Sequence, residues 1–434
     1  MSEIRFAVTG ALNDLSTEIL SRLIDRRTEA DPAVARAVRE IIQRVRRDGD
    51  DALRDLARSV DGVRMTDLSV PRHEWEAALD TIAADVRGAM HRAADNIAAA
   101  HTAWLPSRSE IEVERGVRIV RKPVALDRVG VYAPGGRAAY ASSVLMGVVP
   151  ARVAGVREIV VCSPPAANGR PSESVMAAAA IAGATELYAV GGAAAIAAMA
   201  LGTPSIHRVD CIVGPGNAYV TEAKLQLMRS VRTDVPAGPS EIVILADASA
   251  DMCAVAAELC AQAEHGADSA AIALLVGAGL RSLLAAALAA LIPTLERADT
   301  IRAALANRGA ILEAETMEEA FTFIDAYAPE HLMIATRDAA RGAERPRSAG
   351  AVFVGLTSSV TFGDYITGAN HVLPTAGYAR THSGLSTETF MRWTTIQTVD
   401  SEAAQRLAPL TSALACVEGL PAHAAAARLA ASAP

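Results

Sequence analysis

Aromatic residues make up only 4% of this 434-residue chain, and no long block of Lys and Arg offsets its net charge of -8. Without a basic block there is no footprint for a phosphate backbone, so nucleic acid is not an expected partner. Cysteine is scarce and unpatterned. The five residues Cys162, Cys211, Cys253, Cys260 and Cys416 are an odd number without C-x-x-C spacing, set in apolar stretches. They read as buried thiols of a reducing compartment, with no disulfide framework. The first residues, MSEIRFAVTG, lack the basic region and continuous apolar run of a secretory signal, so a cytoplasmic location is expected. An unbroken membrane span is missing too. The most apolar stretch, Ala177 to Gly202, is interrupted by Thr185, Glu186 and the Gly191-Gly192 pair, and reads as helix, strand, helix.

What the chain does have is core-forming residues: 51% are hydrophobic and 21% charged, which excludes disorder. Its length suits two or three domains and therefore a cleft between lobes, where a small molecule would bind. From Asp31 to about Trp104, apolar residues recur every three to four positions, as in AVARAVREIIQRVRRDGDDALRDLA, which predicts a helical lead-in. IEVERGVRIVRKPV then alternates and turns at Arg115-Gly116, a β-hairpin pattern. From Gly130 onward, short apolar strands alternate with amphipathic helices. The strands are expected at Val129-Tyr132, Glu158-Cys162, Glu186-Val190, Val209-Val213, Glu241-Ala246, Ala270-Val276, Gly309-Leu312, His331-Ala335 and Ala351-Val354. Such alternation predicts α/β architecture with two parallel sheets, dividing near Pro236-Ser240. After Thr361 the pattern turns loop-rich, and a last helix near Ala413 to Ala431 looks like an appendage that needs another surface.

Several segments could carry chemistry. Ala270 to Ser282 runs from a buried strand into Gly277-x-Gly279, but Ser282 stands where a dinucleotide fingerprint needs its third glycine, so a tight turn explains it as well. Gly214-Pro215-Gly216-Asn217 ends a strand and places Asn217 near a helix N-cap, where backbone N-H groups attract anions. In DMCAVAAELCAQAEHGADS, Gln262 and His265 lie three apart and share a helix face; they suit one metal, or equally a capping His beside a solvated Gln. Asp364 lies in the Gly-rich polar run FGDYITGANHVLPT, which reads as a functional loop. His423, in VEGLPAHAAAARL, is a further metal candidate or a plain surface residue. Glu330 and His331 open a strand, where two adjacent ionisable groups can supply proton transfer to one cleft or be simple exposed charge.

The segments VGVYAPGG with AYASSVLMGVVPA, GPGNAYVTEAK, VPAGPSEIVILAD, QAEHGADS, APEHL, FGDYITGANHVLPT, SGLST and EGLPAH occur in an order that resembles the histidinol dehydrogenase family from about residue 20 to 430. The resemblance implies two incomplete Rossmann-like domains of the aldehyde-dehydrogenase-like superfamily, after a helical N-terminal region and before a C-terminal dimerisation tail. Its division would be 1–128 for the helical region with its hairpin, 129–239 for the NAD side, 240–378 for zinc and catalysis, and 379–434 for a tail swapped between subunits. The implied activity is oxidation of L-histidinol through L-histidinaldehyde to L-histidine with zinc and NAD, in a homodimer with shared active sites and no membrane or nucleic-acid partner.

Carried over by position, Gln262, His265, Asp364 and His423 match the zinc ligands, and the metal would also hold the substrate's imidazole and amino nitrogens. His331 matches the base for the hydroxyl proton, and Glu330 the group that activates water against the aldehyde. Ser240, His371 and Glu418 match further substrate contacts. Tyr132 and Asn217 match NAD contacts, while Ala194 stands where the family commonly has a Gln that contacts NAD. A paralogue oxidising another small alcohol, such as sulfopropanediol, is the competing reading, and a non-catalytic zinc-binding protein is one from another class. His371 and Glu418 favour a cationic, imidazole-bearing substrate over a sulfonate.

Overall fold

The computed structural model describes residues 4–26, 31–135, 140–234 and 238–432. The expected division at Pro236-Ser240 therefore begins outside the described residues. In chain order, β1 (Val8–Ala11) is followed by helices and then by β2 (Ser109–Glu114) and β3 (Val117–Ala125). Next come β4 (Arg128–Tyr132), β5 (Glu158–Ser163), β6 (Glu186–Ala189), β7 (Cys211–Val213) and the two-residue β8 (Arg232–Thr233). A second series holds β9 (Glu241–Asp247), β10 (Ala270–Val276), β11 (Ala310–Ala314), β12 (His331–Ala335) and β13 (Ala351–Val354), before β14 (Met391–Val399).

The fold is α/β with two parallel sheets. One has the order β6-β5-β4-β7-β8 and the other β1-β11-β10-β9-β12-β13. In each, apart from the early edge strand β1, the chain begins at a central strand (β4 or β9), winds outward on one side, and returns to add strands on the other side. Such a reversal opens a crevice between the two strands that flank it, β4 and β7 in one sheet, β9 and β12 in the other. Strands β4, β5, β9, β10 and β12 are buried on both faces, which explains why they read as continuous apolar runs. Between them the 177–202 stretch is indeed helix (Glu173–Ala182), β6, helix (Gly192–Leu201). Among the described residues, no helix is long and apolar enough to cross a membrane.

Several expectations are corrected. Val8–Ala11, ahead of the helical lead-in, pairs in parallel with β11 and forms the edge of the second sheet. The segment expected to be loop-rich contains β14, whose nine residues pair antiparallel with β3 across the hairpin and make a third sheet, β14-β3-β2. Its β-branched residues in MRWTTIQTV carried that signal. The single last helix is two, Ser401–Val417 and Pro421–Ala431, broken at Glu418–Leu420, where Gly419 adopts a left-handed φ of 70°. Cys253 and Cys416 are exposed, although Cys162, Cys211 and Cys260 are buried as expected. Gly277 and Gly279, both at positive φ, make a tight turn, with Gly279 as the N-cap of the Leu280–Leu291 helix.

The crevice of the first sheet depends on one close approach. Gly214, just after β7, has φ +116°, and a Cβ there would collide with the Tyr132 carbonyl at the end of β4. Gly214→Ala should therefore destabilise the protein by roughly 1–3 kcal/mol through strain and overpacking. Urea unfolding is the check; a variant with the parent's midpoint would show that the two strand ends can part without cost.

Candidate active site

A cleft of about 410 Å³ lies between the carboxyl end of β7 and the amino ends of β9 and β12, lined by Gly214, Pro215, Ser240, Glu330, His331 and, from other elements, His265, Asp364 and His371. The apolar β12 fixes Glu330 and His331 at its entrance. Helix Met317–Tyr327 ends at Ala328, which takes a left-handed φ of 53°, and Pro329 then turns the chain into the strand. Gly350 allows β13 to close on this corner, since a Cβ there would lie 2.6 Å from the Glu330 carbonyl oxygen. Both side chains are buried rather than exposed at the strand start.

The Glu330 carboxylate accepts from Ser240 Oγ at 2.6 Å and from the Glu241 N-H at 2.8 Å. Burial nonetheless pushes its carboxyl up to about 7, against the opposing pull of His331 and Ser240. His331 Nδ1 donates to the Glu241 carbonyl at 3.2 Å, because a carbonyl can only accept, and lies 3.5 Å from Glu330 Oε2. Its Nε2 lies 3.5 Å from Asp364 Oδ1, long for a hydrogen bond, so this buried nitrogen has no hydrogen-bond partner. Burial alone would lower the His331 pKa; the Glu330 and Asp364 carboxylates reverse this and carry it to about 9. Burial also works against the Asp364 carboxylate, yet His331 holds it below its ordinary value. Adjacent residues of opposite charge thus share one dry corner.

Asp364 lies on a short helix, Val360–Tyr365, and not in a loop. The Met252–Ala263 helix stops one residue short of Glu264, so His265 follows the helix instead of sharing its last turn, and its Nδ1 contacts the Ala261 and Gln262 carbonyls at 3.1 and 3.2 Å. Gln262 remains on the helix, buried, with Nε2 lacking a hydrogen-bond partner. It lies one turn beyond Glu258, whose carboxylate accepts from the Val360 N-H at 3.2 Å, so this face meets the helix that carries Asp364. His371 Nδ1 donates to the Asp364 carbonyl at 2.7 Å, with Ser143 Oγ 3.3 Å from its Nε2; burial holds its imidazole below the ordinary value.

Among the described residues, no three His, Cys, Asp or Glu side chains of the chain form a metal-binding group. Two candidates stand apart. Glu418 caps the Ser401–Val417 helix, His423 lies on the following helix, and both are exposed and away from the cleft. The expected NAD contacts collect around the first sheet. Tyr132, at the end of β4, accepts from the Gly192 N-H at 3.0 Å; Ala194 is buried in the helix beginning there; and Asn217 caps its helix by accepting from Tyr219 and Val220 at 3.1 and 3.2 Å. None of these three lines the 410 Å³ cleft, whereas Gly214 and Pro215 of the same loop do.

Sequence reasoning passed over the support of that loop. Lys224 and Asp234 form a buried ion pair at 2.6 Å; Asp234 accepts from the Gly214 N-H at 2.7 Å, and Lys224 donates to the Gly214 carbonyl. A buried Lys needs such partners. Nothing in the spacing of Lys224 and Asp234 signals the contact, although Lys224 closes the motif GPGNAYVTEAK.

Residues 24–430 match the family model described as histidinol dehydrogenase. The chain is 45% identical over 416 residues to a histidinol dehydrogenase of Halobacterium salinarum, covering 96% of this chain and 97% of that one. It is 44% identical over 406 residues to one of Methanothermobacter thermautotrophicus, covering 93% and 95%. A crystal structure of histidinol dehydrogenase from Elizabethkingia anophelis superposes with a TM-score of 0.94 at 33% identity, covering 99% of this chain and 98% of that one. A match of this breadth spans both sheets and the cleft between them, and the chain belongs to the histidinol dehydrogenase family.

Proposed function

We propose that the protein is a zinc- and NAD-dependent oxidoreductase that converts L-histidinol through L-histidinaldehyde to L-histidine, in histidine biosynthesis. The observation that carries this reading is the buried Glu330–His331 pair, which lines one cleft with His265, Asp364 and His371 in a chain of this family. The competing small-alcohol reading draws no support from the relatives. Cysteines without a disulfide among them accord with a cytoplasmic enzyme.

The donor set fits zinc. Gln262 has a buried side-chain amide whose Nε2 finds no partner in the protein and whose oxygen is the atom a metal would take, and His265 and Asp364 in the cleft add an imidazole and a carboxylate of the kinds that zinc takes. The fourth donor would be His423. Bound zinc would orient and polarise the substrate, and bound NAD would accept the hydride. The chain's own groups handle the protons. His331 keeps a proton on Nδ1, and Nε2, once it has given up the proton that the neighbouring carboxylates hold on the ring up to about pH 9, is the atom that takes the hydroxyl proton. Glu330, held by Ser240 and the Glu241 N-H, draws a proton from water in the second oxidation. His371 and Glu418 contact the substrate. Tyr132, Ala194 and Asn217 surround the β4–β7 crevice, where a nucleotide is expected in a sheet of this order. In this reading residues 129–239 serve NAD, 240–378 hold the metal and the proton-transfer groups, and the two sheets belong to the aldehyde-dehydrogenase-like superfamily.

Residues 379–434 act as a dimerisation tail. Leu410, Leu414 and Val417 form an exposed apolar stripe at helical spacing on the Ser401–Val417 helix, and Leu429 is exposed on the next. A two-fold dimer would cover this face and bring His423 and Glu418 to the other subunit's cleft.

Two outcomes test these roles. Glu330 must be ionised to act as a base, so oxidation of histidinaldehyde should rise as pH climbs through about 7, the value to which burial raises it while His331, Ser240 and Glu241 face it. Glu330→Gln should lose that rise and about 100- to 10,000-fold in the aldehyde step, while His331→Asn should damage the alcohol step. NADH formation from each substrate separates them; a Glu330→Gln enzyme with the parent's pH profile on the aldehyde contradicts the assignment. Secondly, His265→Ala and His423→Ala should each lose bound zinc by metal analysis. Mixed after subunit exchange, they should regain turnover, since one site per heterodimer is intact. A mixture that stays inactive while a wild-type exchange control recovers would place His423 in its own chain's site.

A further inference from the structure

Arg26 lies 215 residues from Glu241 in sequence, yet its guanidinium spans the Glu241 carboxylate, Nε to Oε2 at 2.8 Å and Nη2 to Oε1 at 2.9 Å. The second Nη2 proton goes to the Tyr327 carbonyl at 2.8 Å, and Nη1 donates to the carbonyls of Ile24 at 3.0 Å and Leu23 at 3.4 Å. All five donors are used. The guanidinium also stacks on the Tyr327 ring, 3.4 Å from its centroid, and the two charged side chains are only 7% and 3% exposed. A planar fork of fixed geometry makes these contacts; a Lys ammonium has neither the five donors nor the flat face.

The partner of this fork is the residue on which the proton-transfer pair hangs. The Glu241 N-H donates to Glu330 Oε2 at 2.8 Å, and its carbonyl accepts from His331 Nδ1 at 3.2 Å. One peptide unit on either side of the Glu241 Cα therefore orients both groups. A buried carboxylate left without its cation would move toward water or draw a proton, and either response shifts the first residue of β9. We infer that Arg26 is a positioning residue for the active site: by clamping the Glu241 side chain it fixes the backbone groups that hold Glu330 against Ser240 and set the His331 proton on Nδ1. The N-terminal segment, which forms an edge of the second sheet, is in this way tied to the chemistry at its centre.

The inference rests on the proposed roles of Glu330 and His331, and the test keeps the two separable. In the full-length, zinc-loaded protein, Arg26→Met should lower kcat for NADH formation from L-histidinol about ten- to hundredfold, while KM for histidinol and for NAD stays near the parent's. In 15N-histidine-labelled protein, the solvent-protected Nδ1-H resonance of His331, assigned with His331→Asn, should weaken or vanish in Arg26→Met. A purely structural role would lower thermal stability and leave both readouts, per folded molecule, unmoved. Should Arg26→Met not accumulate as folded protein, Arg26→Lys, which keeps the charge without the fork, is expected to show the same two changes to a smaller degree. A folded variant with the parent's kcat, or a reduced kcat with the His331 resonance unaltered, overturns the inference. A parent protein that makes no NADH from histidinol would instead defeat the proposed function, and the resonance would still report on Arg26.

Discussion

A carboxyl and an imidazole taken out of water beside each other need their remaining polar atoms satisfied by something that does not move. Here the something is a strand start. Glu330 and His331 face the first residue of β9, whose peptide groups donate to one and accept from the other. Neither bond is available at an exposed strand end, where water competes. Burial is what raises the Glu330 carboxyl to about 7, into the range where a carboxylate can both take and return a proton near neutrality. The dry corner is costly to build, and the ion pair of Arg26 with Glu241 and the hydroxyl of Ser240 are part of what offsets that cost.

The two sheets meet this corner from opposite ends. The first sheet presents the carboxyl ends of β4 and β7, where close backbone contact at Gly214 forms the crevice and the Lys224–Asp234 pair holds the loop. The second presents the amino ends of β9 and β12. A ligand lying in the cleft is therefore between a backbone-lined loop and a set of ionisable side chains. In the proposed reading the loop side would serve a dinucleotide, while the ionisable side would exchange protons with the other reactant.

Much of this was legible from the order of residues. The core strands read as short apolar runs because both faces are buried, and the site segments stood out because Gly and polar residues cluster between such runs, as in FGDYITGANHVLPT. Local reasoning failed where the decisive partner is remote. β1 is four residues long and has meaning only beside β11; β14 was concealed by the polar residues of a strand exposed along most of its length. Arg26 looks like any arginine at the end of an amphipathic helix until Glu241 appears beside it. His265 fell just beyond its helix, which stops at Ala263 with Glu264 as its cap, a boundary that a count of three residues does not reveal.

The remaining gap is of a different kind, for it concerns what one chain can complete alone. Gln262, His265 and Asp364 come from elements of a single lobe, and each is fixed by contacts within that lobe or by burial. His423 and Glu418 are not: they sit at the bend of a helical pair anchored near the β2–β3 turn, where Asp400 N donates to the Gly116 carbonyl at 2.9 Å, and the outer face of that pair is apolar. If the tail supplies His423 to the partner's cleft, as proposed, the metal would gain in the assembled protein a fourth protein donor that the three from one lobe leave to water or substrate. Apolar burial of the tail and completion of the metal sphere would then be one event, and the stability of the dimer would be coupled by linkage to the metal it holds.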